Sequence, residues 1–195
     1  MSKGRLEAFS DGVVAILITI MVLELKIPHG ADWAALRPIL PVFLTYVLSY
    51  VYLGIYWNNH HHLLHATERI NGRVLWANLH LLFWLSLVPF VTGWMGENHD
   101  ASLPNAVYGG VLLLAGIAYL ILQREILAAQ GPHSRLAEML GGDLKGKLSA
   151  FMYVAGIALA FVNQWVSDAL YVAVALWWLV PDQRIERNFS APPKT

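Results

Sequence analysis

Residues 5–28 read RLEAFSDGVVAILITIMVLELKIP, an apolar run of membrane-helix length with Arg5, Glu7 and Asp11 in its first half. Ionised groups at that depth are expensive and require internal partners. A helix that keeps Arg5, Ser10 and Asp11 at its head is therefore expected to do more than anchor the chain. Between Asp11 and Glu24 it carries no ionised residue, and Ile16, Ile20 and Leu23 recur at i, i+4 and i+7, one helical stripe with Thr19 beside it. We read this face as the wall of an ion pathway, although a stripe of this kind more commonly packs or meets lipid.

Composition agrees with a membrane class. Charged residues make up 13% of the chain, against about 25% in soluble domains. Net charge is zero, so no basic excess points to nucleic acid. Cysteine is absent, which excludes disulfides, thiolate metal sites and cysteine nucleophiles. The N-terminus lacks the small-residue cleavage site of a signal peptide.

A helix needs roughly 20 residues to cross the hydrocarbon core. Stretches free of Asp, Glu, Lys and Arg mark six spans, with approximate helices 5–26, 37–60, 73–95, 103–125, 147–166 and 168–186. The charge-free part of the sixth, 169–181, is short, which leaves a re-entrant or interfacial segment as its alternative. The prediction is an all-α membrane protein with one six-helix transmembrane domain over 1–187 and a Pro-rich, disordered tail over 188–195. In the loop 124–147, the glycines and Pro132 bracket a segment, His133–Leu140, that could form a short surface helix. Pro89 is expected to kink the third span.

Charge placement fixes the expected orientation. With the N-terminus cytoplasmic, eleven basic residues lie inside: Lys3, Arg5, Arg69, Arg73, Arg124, Arg135, Lys145, Lys147, Arg184, Arg187 and Lys194. Only Lys26 and Arg37 lie outside, a strong positive-inside bias. Both termini are expected in the cytoplasm and the protein in the plasma membrane. Six helices in one bundle leave little room for water, so a wide pore is expected between subunits.

Polar side chains cluster at one depth. Arg5 and Phe9 share one face of the first helix and Ser10 and Asp11 project elsewhere, while the second helix offers Trp57, Asn59, His60 and His61 at the same expected level and the third Trp76 and Asn78. Such groups should satisfy one another across helices. The cluster locks the helices together or, beyond that, positions the first one. His61 and His65 share a helix face, but the pattern lacks the spacing of a metalloprotease helix and no metal is expected. Nucleophile elbows, Walker loops, paired intramembrane carboxylates, the potassium-filter sequence TVGYG and an arginine-rich voltage-sensor run are all missing. An enzyme is the least expected class.

The motif Arg5-x-x-x-Phe9-Ser10-Asp11 resembles the signature of the transmembrane protein 175 family of endolysosomal and prokaryotic potassium channels. Trp57-x-Asn59-His60-His61, Trp76-x-Asn78, Leu87-Val88-Pro89-Phe90 and Pro181-Asp182-x-Arg184-Ile185-Glu186 are similar to its short bacterial members. The resemblance covers about residues 5–187. It implies a homotetramer of six-helix chains with helix one lining a central pore. It further implies hydrophobic constriction rings at Ile16, Ile20 and Leu23, a selectivity-associated threonine at Thr19, and a scaffold role for Arg5, Ser10 and Asp11.

The expected function is therefore passive conduction of potassium and other monovalent cations, with modest selectivity over sodium and no cofactor. The partners are then lipid and further copies of the chain. Two alternatives compete: a proton-coupled transporter relaying through Asp11 and His60 or His61, and a non-conducting membrane scaffold or enzyme subunit.

Overall fold

The structure, a computed structural model, describes residues 2–131 and 144–179 of the chain. Among these residues seven α-helices make up six rods. α1 spans Lys3–Met21 and ends in a 3-10 turn, Val22–Glu24. A 3-10 helix, Trp33–Ile39, leads into α2, Leu40–His65. α3, Gly72–Ser86, and α4, Val88–Glu97, form one broken rod. α5 spans Ser102–Gln130, α6 Leu144–Leu159 and α7 Gln164–Leu179.

Local chemistry explains the ends. Asp32 caps the 3-10 helix by accepting from Ala35 N at 3.1 Å, and Asn71 caps α3 through Val74 N at 3.0 Å. Pro41 occupies the first turn of α2, where no N–H is required. Pro89 does more than kink the third rod. It lacks an N–H, and its ring would press on the Leu85 carbonyl, so α3 ends at Ser86 and α4 starts after Leu87. Gly131 closes α5 at φ 92°, a left-handed position that suits glycine.

Among the described residues four segments are long and apolar enough to cross a membrane: Lys3–Glu24, Trp33–His65, Gly72–Glu97 and Ser102–Gln130. The described parts of α6 and α7 hold 16 residues each, or about 24 Å of helix. Several ends differ from those marked by charge. α2 continues past residue 60 to His65, and α5 carries Arg124 and Glu125 on to Gln130. α6 stops at Leu159, and α7 starts at Gln164 with Asp168 inside it. Asp168 is tolerated there because Asn105 Nδ2 donates to its carboxylate. The surface helix expected at 133–140, the motif 181–186 and the tail 188–195 lie outside the described residues.

α5 is the hub and packs on α3, α4, α6 and α7; α1 leans on α2, α3 and α4. At one end of the bundle Lys3 Nζ donates to His65 O at 2.6 Å, joining the start of α1 to the end of α2. There Gln130 also clamps the α2–α3 connection through Glu68 N and Arg69 O, both at 3.2 Å. At the opposite end Lys26 pairs with Glu97, and Gln164 Nε2 donates to Asp100 O at 3.2 Å. The Glu97 carboxylate raises the Lys26 ammonium above its ordinary pKa.

The interior between these ends is rich in tyrosine. Tyr52, Tyr108, Tyr153 and Tyr171 are buried together. Tyr52 OH donates to Tyr171 O at 2.6 Å. Ser49 Oγ lies 3.0 Å from Tyr108 OH and 2.7 Å from Thr92 Oγ1.

Candidate functional site: the two faces of the first helix

α1 has one packed face and one bare face. Leu6, Ser10, Val14, Leu17 and Met21 recur every three to four residues and are buried against α2, α3 and α4. On the other side Ile16 is 57% exposed, Ile20 41% and Leu23 78% in the single chain. Thr19 is exposed on this side. Its hydroxyl is 3.0 Å from Ala15 O and 2.9 Å from Ile16 O, so its proton is held by the helix. The oxygen keeps its lone pairs as acceptors.

Polar contacts fix how α1 is turned. Asn78 on α3 is fully buried; its Nδ2 donates to Ser10 Oγ at 2.9 Å. His60 Nε2 on α2 donates to Asn78 Oδ1 at 2.7 Å. One amide thus joins three helices, with both of its ends used. Trp57 Nε1 donates to Asp11 Oδ1 at 3.0 Å, a second tie between α1 and α2. No hydrogen bond joins Asp11 directly to His60; each has its own partner.

The remaining residues singled out in the sequence are placed elsewhere. Arg5 is exposed and Phe9 is 49% exposed on α1, and neither joins the hydrogen-bonded set among the described residues. Asn59 turns back on its own helix, donating to Ile55 O at 2.8 Å, while Tyr119 OH donates to its carbonyl at 3.2 Å. His61 is exposed and stacks between Trp57 and His65, with ring centroids at 5.9 and 6.1 Å. Trp76 is 75% exposed on α3, away from Asn78. Among the described residues no group of three His, Asp or Glu side chains is placed to hold a metal ion.

Sequence reasoning missed the second polar layer. Ser49, Thr92 and Tyr108 join α2, α4 and α5, and Asn105 bonds Ser167 Oγ at 2.6 Å as well as Asp168. Serines, threonines and tyrosines spread singly over apolar helices carry no periodic signal.

Comparison with known proteins places this arrangement. The family model described as "Endosomal/lysosomal potassium channel TMEM175" matches residues 5–89. A protein of Chryseobacterium sp. (strain P1-3) named as a potassium channel is 54% identical over 190 residues, 97% of this chain and 99% of that protein. One of Streptomyces collinus, also named as a potassium channel, is 29% identical over 187 residues, 90% of this chain and 91% of its own length. The crystal structure of a lysosomal potassium-selective channel TMEM175 homologue from Chamaesiphon minutus superposes with a TM-score of 0.78 at 27% identity, over 91% of this chain and 96% of that one. The family and these relatives are named as ion channels, not enzymes. Alike over nearly its whole length to a bacterial relative, and sharing this helical fold, the chain belongs to the TMEM175 family and is a multi-pass membrane protein.

Proposed function

We propose that four copies of the chain assemble around a common axis as a potassium-permeable cation channel, with the bare face of α1 turned inward. The carrying observation is the division of α1 into a face locked by Ser10–Asn78–His60 and an unpacked face of Ile16, Thr19, Ile20 and Leu23. The names of the bacterial relatives, all potassium channels, support the choice of ion.

In the closed state the rings of Ile16, Ile20 and Leu23 exclude water. Stripping a cation of its hydration against an apolar wall then blocks flow. Slight rotation or dilation of the four α1 helices wets the constriction. Thr19 offers hydroxyl oxygens to the passing ion, and without a carbonyl cage the preference for potassium over sodium is modest. Conduction is passive and uses no cofactor. Both termini lie in the cytoplasm and the channel in the plasma membrane, as the eleven-to-two distribution of basic residues supports.

Purified protein in liposomes under a potassium gradient tests this, with native mass measurement of the assembly. A tetramer with potassium flux, raised by Ile16→Asn as the constriction becomes wettable, is the expected result. A tetramer with no flux, or flux indifferent to Ile16, Ile20 and Leu23 substitutions, overturns it.

A further inference from the structure

A groove of about 710 Å³ lies between α3 and α5, with no α1 residue in its lining, and includes Arg73, Trp76, Ala77, His80, Ile121 and Glu125. Its polarity runs in one direction. Arg73 is the second residue of α3, and Glu125 lies near the end of α5, so both charges sit at the mouth. One turn deeper come Ala77 on α3 and Ile121 on α5. His80, a further turn in, is held by Trp84, whose Nε1 donates to His80 Nε2 at 2.9 Å. The Trp76 ring, 75% exposed, forms an open apolar wall.

Arg73 and Glu125 both line the mouth, yet no ion pair joins them. Opposite charges on the two sides of one amphipathic groove are complementary to a headgroup that itself carries both signs. A phosphate fits the planar guanidinium of arginine. A primary ammonium, with three donors, fits a carboxylate, whereas a quaternary ammonium has no N–H to donate. A glycerol headgroup offers Glu125 no cation.

We propose that this groove binds an aminophospholipid of the phosphatidylethanolamine class, its phosphate on Arg73, its ammonium on Glu125 and an acyl chain along Trp76, Ala77 and Ile121. The site lies at the end of the bundle that holds the Lys3–His65 and Gln130–Arg69 contacts. Neither the groove nor its ligand depends on whether the chain conducts ions.

Native mass spectrometry of the purified full-length protein, given phosphatidylethanolamine, phosphatidylcholine or phosphatidylglycerol with matched chains, tests the assignment. Phosphatidylethanolamine should be retained about tenfold more strongly than the other two, the ratio that one charge-assisted hydrogen bond supplies. Glu125→Gln should erase that preference while leaving general phospholipid retention, and Arg73→Gln should lower retention of all three. Equal retention of the three lipids by the unmodified protein overturns the proposal, and this comparison needs no variant to fold. So does an unchanged preference in Glu125→Gln. Because the chain has no cysteine, Trp76→Cys gives a single thiol. Its efficient disulfide cross-linking between copies would show a second chain covering the groove and would also overturn lipid binding.

Discussion

Asn78 donates to Ser10 Oγ across 2.9 Å while its own Oδ1 takes the His60 proton, so a single side chain links α1 to both α2 and α3. Interhelical hydrogen bonds in membranes contribute only about 0.6 kcal/mol on average. Here the penalty for orphaned partners outweighs the bonds themselves, because Ser10 and His60 are 0% and 5% exposed. Asn78→Leu should therefore destabilise the fold by about 1–3 kcal/mol for each group left unpaired. Thermal unfolding in detergent measures this. A change below about 0.5 kcal/mol, the range typical of surface substitutions, would remove Asn78 from the organising role given to it.

Tyr171 of α7 lies against two glycines. A Cβ on Gly109 would come within 2.0 Å of its hydroxyl oxygen, and one on Gly156 within 2.6 Å of its ring. The ring has little room to retreat, being fully buried and in contact with Tyr108 and Tyr153. Gly109→Ala is expected to cost about 1–3 kcal/mol through overpacking. Combining it with Tyr171→Leu should cost less than the sum of the two single changes, since the shortened side chain leaves space for the methyl group. Additive losses in that double-mutant cycle would contradict the packing argument.

Asp11 and Trp57 tie α1 to α2 at 3.0 Å. Asp11→Asn retains an oxygen acceptor for the indole but loses the charge that strengthens the bond. The expected result is a reduced yield of assembled protein with potassium flux per assembled channel retained. Trp57→Phe, which removes the donor, should show the larger loss of assembly. Intact Asp11→Asn tetramers that have lost all flux would instead favour a relay through this carboxylate.

Among the described residues the Thr19 hydroxyl bonds to carbonyls of its own helix alone. Thr19→Val preserves the side-chain shape and removes the hydroxyl oxygen, so unfolding temperature should barely move. Reversal potentials in mixed potassium and sodium should shift toward lower selectivity. An unchanged permeability ratio would take Thr19 out of the ion path.

The first helix was legible in the sequence because its polar residues stand out against an apolar run: Ser10 and Asp11 mark the attached face, and the Ile16–Leu23 stripe falls on the opposite side. The break after Ser86 was half legible. Pro89 announces a distortion, but whether the chain bends or starts a new helix depends on what its freed carbonyls meet. Asp168 misled the charge-based marking of α7, because its partner, Asn105, lies 63 residues away. Arg5 and Phe9 belong to the sequence motif yet stand apart from the hydrogen bonds of Ser10 and Asp11 among the described residues, since neighbours along a helix point in different directions.

Hydropathy and the distribution of basic residues determined a chain of membrane helices, because burying unsatisfied backbone in lipid permits little else. The tertiary structure alone decided which polar groups find one another and how the tyrosines pack. Those outcomes depend on helices far apart in the chain meeting at one depth, where the pairing of Asn78 with Ser10 and the seating of Tyr171 on Gly109 and Gly156 are matters of position that no local pattern encodes.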